Sequence, residues 1–185
     1  IKELPLWAIA AFFVVTTFVF FSSQILGSSF FWEDFVRYVY PMQNFAAREG
    51  SYFNVPFWNP YSFSGMPFFA DLQTGFFYPF NRILSLFVDS DGHLSVRALE
   101  LVIILHFLIA QFNMYFLARR WRISQAGAVI AAVSYSFSAI MVCHAIHPMM
   151  VYHLAWLPLV AVFLMNAIER ASLRQGAIGG LIFGM

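Results

Sequence analysis

The sequence predicts an all-α, polytopic membrane protein, and three observations carry that prediction. The 185-residue chain is 61% hydrophobic and only 10% charged, where soluble domains hold about 25% charged residues; its mean hydropathy is +0.73. Apolar runs near the 20 residues needed to cross hydrocarbon recur along it. Basic residues gather in short connections that all fall on one side of the membrane if the helices alternate. A net charge of +1 argues against nucleic acid as a partner. The single cysteine, Cys143, excludes a disulfide framework and a thiolate metal site, and it reads as a small buried hydrophobe.

The elements follow in order. Residues 4–21 form the first apolar run, entered by Lys2 and Glu3. It is long for a signal-peptide core, and the following "FSSQILGSS" offers no convincing cleavage site, so it is read as a retained helix, TM1. TM2 is expected over about 98–117, TM3 over 125–142, TM4 over 150–167, and TM5 from about 175. Arg119, Arg120 and Arg122 lie between TM2 and TM3, and Arg170 and Arg174 between TM4 and TM5. With Lys2 they set the cytoplasmic side, so the N-terminus is expected inside and the large loop 27–97 outside. Residue 1 is Ile, and the chain stops at Met185 within "QGAIGGLIFGM". The expectation is the N-terminal part of a longer transmembrane domain.

The loop 27–97 has structure of its own. In "EDFVRYVYPMQNFAAREG", Phe35, Val39, Met42 and Ala46 recur at helical spacing, with Asp34, Arg37, Asn44 and Arg48 opposite. That predicts an amphipathic helix along the membrane surface, apolar side down and kinked at Pro41. "RILSLFV" is too short to span and reads as a second interfacial helix; "DSDGH" reads as a polar turn. Between them, "WNPYSFSGMPFFADLQTGFFYPFN" is rich in aromatics yet broken by Pro60, Gly65, Pro67, Gly75 and Pro79. Neither a regular strand nor a spanning helix is written this way. Its backbone polar groups would go unpaired in lipid, so it must be held against protein or water at the outer surface.

Few residues can carry chemistry. Glu33 and Asp34 are adjacent carboxylates beside the membrane surface, suited to a general base or a metal ligand; simple capping of the following helix is the competing reading. Asp71 and Gln73 sit among aromatics and turn glycines, as ligand-lining groups do, although Asp71 can equally tie its own loop. Asp89 and Asp91 form a D-x-D inside an ordinary turn. His144 and His147 flank the outer TM3–TM4 turn and, with Arg82, are candidates to contact a phosphate. His106, Gln111 and Asn113 are expected to face the bundle interior. No cofactor is indicated. A divalent metal is compatible with the carboxylates, but no ligand spacing argues for one.

The run "FWNPYSFSGMPFFADLQTGFFYPFNRI", with "YPMQNFA" before it and "HLAWLPLVAVFLMNAIER" after it, resembles the signature of YfhO-type bacterial membrane proteins. In that family the first outer loop reads W-N-P, G-x-P, A-D-x-Q-x-G, then Y-P-x-N. The resemblance covers most of residues 30–170. It implies a GT-C-like helix bundle in the bacterial cytoplasmic membrane. The implied activity is transfer of a sugar from a polyprenyl-phosphate carrier to an acceptor on the outer face. In GT-C enzymes an acidic residue just beyond TM1 is the base or a metal ligand, which here falls on Asp34 with Glu33 beside it. The implied partners are the lipid-linked sugar donor and membrane lipids. Two non-enzymatic readings stay open: an accessory subunit packed against other membrane proteins, and a transporter of lipid-linked material.

Overall fold

A computed structural model describes residues 3–30, 32, 34–50 and 54–184. The expectations placed on Lys2 and Glu33 therefore lie outside the described residues. The chain is mostly helical, and three helical stretches are long and apolar enough to cross a membrane: Val96–Arg120, Gln125–Cys143 and Pro148–Glu169. These match the expected TM2, TM3 and TM4. The expected TM1 and TM5 are helices too, α1 (Leu6–Phe20) and α9 (Leu173–Phe183), but at 15 and 11 residues each is shorter than a span. A short α2 (Ser22–Leu26) follows α1 and ends at Gly27, whose φ of 135° few other residues adopt.

Helix α5 (Val96–Arg120) is the central post. Ser95 caps it by accepting from the Ala98 N–H, and Arg119 and Arg120 occupy its last turn, where the helix dipole favours cations. Its 25 residues reach about 37 Å at 1.5 Å each, more than the hydrocarbon core. It packs on α1, α6 (Gln125–Ser136) and α8 (Pro148–Glu169), and α8 carries α9. His106, Gln111 and Asn113 are all buried, as expected. Gln111 joins α1 to α5, accepting from Thr16 Oγ1 at 3.0 Å and donating to Thr17 Oγ1 at 2.7 Å. At the end carrying Arg119 and Arg120, Glu3 pairs with Arg119 at 2.6 Å, and Arg120 pairs with Glu169.

The expected TM3 is interrupted. Helix α6 stops at Ser136, and α7 (Ala139–Cys143) begins after Ser138, whose extended backbone (ψ 155°) breaks the ladder. Ser136 Oγ bonds back to Ala132 O and Ser138 Oγ to Tyr135 O at 2.7 Å, competition of the kind that bends helices. Cys143 ends α7 exposed, not buried as expected. Helix α8 contains Pro158, which has no N–H to give to the Leu154 carbonyl one turn back. Tyr135 repairs that loss: its hydroxyl donates to Leu154 O at 2.7 Å. Tyr135→Phe leaves this carbonyl unpaired, and we expect it to cost about 1–3 kcal/mol, read as a lower Tm in detergent with little change in helix content.

The loop between α2 and α5 is built on the protein. Asp34 opens a π-helical turn, Phe35–Val39, that runs into α3 (Tyr40–Glu49). Pro41 lacks an N–H, and the helix widens just before it: the Tyr40 N–H reaches Phe35 O, five residues back. The expected kink is thus a π turn. Phe35, Val39, Met42 and Ala46 are buried, as their spacing predicts. What covers Met42 and Ala46 is protein, since they pack with Phe45, Phe68 and Phe76. The 58–81 segment folds over them, with a two-residue antiparallel pair, β1 (Trp58–Asn59) and β2 (Met66–Pro67), that the sequence reading excluded. α4 (Pro79–Ile83) and a 3-10 turn, Leu84–Phe87, form the second short helical piece. In the "DSDGH" turn Asp89 Oδ1 accepts from the N–H groups of Asp91 and His93, as an ordinary turn aspartate does.

The loop also enters the bundle. Tyr78 is 2% exposed, and its hydroxyl meets His106 Nε2, ten residues along α5 from Val96 and so about 15 Å below that helix's start. His106 Nδ1–H donates to Val102 O at 2.6 Å, which makes Nε2 the acceptor in the neutral ring. Trp156 of α8 donates to the same Tyr78 oxygen at 2.7 Å, and the Tyr152 ring stacks on Tyr78 at 4.8 Å. The Tyr78 side chain thus anchors the irregular segment between α5 and α8.

Candidate functional site

One cavity gathers four of the polar residues singled out in the sequence, Asp34, Gln73, His144 and His147. It measures about 520 Å³ and lies between the Asp34–Gln43 helix and the start of α8, with Asp34, Tyr38, Gln43, Gln73, His144 and His147 on its walls. It sits at the end of the bundle opposite Arg119 and Arg120, beside the N-terminus of α8.

Asp34 stands at the N-terminal boundary of the π turn but does not cap it. Its side chain is 59% exposed, and Oδ2 accepts from His147 Nε2 at 2.9 Å. His147 Nδ1 in turn lies 3.2 Å from His144 Nδ1. The α7–α8 connection fixes the two rings: the His147 N–H donates to His144 O at 2.8 Å, closing a tight turn, and Pro148 opens α8 directly afterwards. Three residues expected to act separately, an acidic base and two phosphate contacts, form one hydrogen-bonded chain. Among the described residues no three His, Cys, Asp or Glu side chains come together in a way that could hold a metal ion.

Asp71 performs the loop-tying role. Its Oδ1 accepts from the Gln73 N–H at 3.0 Å, and its Oδ2 accepts from the Tyr38 hydroxyl. Burial first, and then the Asp71 carboxylate at its hydroxyl, push the Tyr38 phenol well above its ordinary range, so it stays a donor. Asp71 therefore stands behind a cavity wall, whereas Gln73 is on the wall itself. Gln43, which drew no attention as a functional residue in the sequence, is 4% exposed. Its Nε2 donates to Thr74 O at 2.8 Å. A glutamine in the apolar stripe of Val39, Met42 and Ala46 was the available signal.

Arg82 is placed elsewhere. It is 6% exposed, its Nη1 donates to Ala46 O at 3.3 Å and Gly50 O at 3.5 Å, and its guanidinium lies 3.9 Å from the Phe76 ring centre. It holds the carbonyls that α3 leaves over at its C-terminus, and it does not line the cavity. The reason is local: α4 faces its last turn toward the end of α3, and one guanidinium nitrogen, Nη1, carries two hydrogens and serves both carbonyls.

Gly75 backs the cavity through Met149. Its φ is +52°, and a Cβ there would stand 2.4 Å from the sulfur of Met149, a cavity residue. Gly75→Ala is expected to cost about 1–2 kcal/mol from the left-handed backbone alone and to displace Met149, read as a lower Tm together with altered ligand affinity.

No protein-family model matches the chain, and neither a curated protein nor a solved structure matches it.

Proposed function

We propose that this chain is a membrane glycosyltransferase of the GT-C type, transferring a sugar from a polyprenyl-phosphate carrier to an acceptor hydroxyl on the outer face of the bacterial cytoplasmic membrane. The observation that carries the reading is Asp34: a carboxylate exposed on a cavity wall and held by His147. The outer orientation rests on the positive-inside rule, with Arg119 and Arg120 at the opposite end of α5 from the cavity. The loop signature that resembles the YfhO-type proteins supplies the substrate class.

In this reaction the acceptor oxygen loses its proton to the Asp34–His147–His144 chain as it attacks the anomeric carbon. The bond from that carbon to the phosphate oxygen breaks, polyprenyl phosphate leaves with the electron pair, and the configuration inverts. The two imidazoles stand where they can take up the proton. Gln73 and Tyr38 offer hydrogen bonds to sugar hydroxyls.

The test is a transfer assay in proteoliposomes with a radiolabelled polyprenyl-phosphate sugar, scored for released polyprenyl phosphate and labelled acceptor. Transfer supports the reading. Binding or translocation of the lipid without transfer would move the chain to the transporter or accessory-subunit class.

A further inference from the structure

We propose that Asp34, His147 and His144 form a proton relay whose accepting end is His144 Nε2, so that Asp34 positions the base without being the atom that takes the acceptor's proton. This rests on the sugar-transfer reading above and assigns the roles within it.

The argument is one of proton counting. An ionised carboxylate only accepts hydrogen bonds, and a neutral imidazole has one N–H and one bare nitrogen. Asp34 Oδ2 is 2.9 Å from His147 Nε2, so that nitrogen carries the hydrogen. His147 Nδ1 is then bare, and the 3.2 Å contact to His144 Nδ1 needs one hydrogen, which His144 must supply. His144 is thereby left with its lone pair on Nε2. Among the described residues no hydrogen bond to that nitrogen is present, and His144 lines the cavity.

A proton taken at His144 Nε2 makes that ring an imidazolium, and its Nδ1 hydrogen can cross to His147 Nδ1. The charge then rests on His147 in contact with the Asp34 carboxylate, where an opposite charge holds it best. No atom is consumed: the hydroxyl proton enters at one end and the chain carries one positive charge until a phosphate oxygen or water removes it. The turn makes this chain possible. The His147 N–H to His144 O bond sets the rings three residues apart on one side, and Pro148 keeps the following helix from rotating them away.

The relay is tested by nitrogen-15 NMR of histidine-labelled full-length protein in lipid nanodiscs at neutral pH. The five histidines are assigned through the single variants H144Q and H147Q. The expected result is His147 as the Nε2–H tautomer and His144 as the Nδ1–H tautomer, with the His147 preference lost in Asp34→Ala. In the transfer assay H144Q should lower kcat by at least about 100-fold with the KM for lipid-linked sugar changed by less than about 3-fold. His144 found as the Nε2–H tautomer overturns the relay. So does full transfer by H144Q, because Asp34 would then act directly. Correct tautomers in a protein that transfers no sugar leave the relay standing and overturn the sugar-transfer reading.

Discussion

Asp34→Asn is expected, on the proposed function, to lower sugar transfer by about 10²–10⁴-fold, the range general acid–base groups contribute, while the protein inserts and folds as before. That factor is about 2.7–5.5 kcal/mol of transition-state stabilisation. Asparagine keeps the size of the side chain and an oxygen that can accept from His147 Nε2, so the 2.9 Å contact survives in outline. What disappears is the negative charge that holds His147 in one tautomer and balances it once it is protonated. Because the side chain is 59% exposed and caps no helix, the loss of charge should move Tm by less than 2 °C. Glu33→Gln is the matched control, since its carboxylate is the neighbour in sequence. Transfer lost in the Glu33 variant and kept in Asp34→Asn would give the role to the other acid.

Arg82→Ala has the opposite profile, with a large loss of stability and no direct effect on chemistry. The guanidinium is 6% exposed, bonds to Ala46 O and Gly50 O, and covers the Phe76 ring. Hydrogen bonds from a charged donor contribute about 1.5–3 kcal/mol each, and truncation also opens space over the ring. We expect a loss of about 3–5 kcal/mol from the two bonds together, seen as loop unfolding before the helices melt. Arg82→Lys should not restore it, because an ammonium lacks the flat guanidinium that lies over the Phe76 ring. A phosphate contact at Arg82 would show the reverse: normal Tm, weaker lipid binding, and partial rescue by lysine.

Much of the helical frame was legible. The Arg119–Arg120 pair and apolar runs of the right length placed the three long helices to within a few residues. The buried stripe of Phe35, Val39, Met42 and Ala46 followed from its spacing. What covers that stripe did not, because amphipathic periodicity reports an apolar face and is silent on whether lipid or protein meets it. Arg82 was misjudged for a related reason: an arginine in an aromatic loop looks the same whether it faces a ligand or a helix end. The Asp34–His147 contact joins residues 113 positions apart, beyond any spacing rule, although both residues had been singled out separately. Of the contact between Tyr78, His106 and Trp156 only one part was signalled, a histidine expected to face the bundle interior; Tyr78 and Trp156 are ordinary residues in their own segments.

The staple at Tyr78 sets an order of assembly. Its partners lie on α5 and α8, and about 60 residues separate Ser95 from Trp156. At about 5–20 residues per second of synthesis, the loop is complete about 3–12 s before its second wall exists. During that interval Phe68, Phe76 and Tyr78, all buried at the end, wait outside a finished structure. The cavity is completed only when α8 enters, because His147 begins that helix. A newborn chain therefore passes through a stage in which this aromatic segment is made but not yet sheltered, and Asp34 meets His147 only after it.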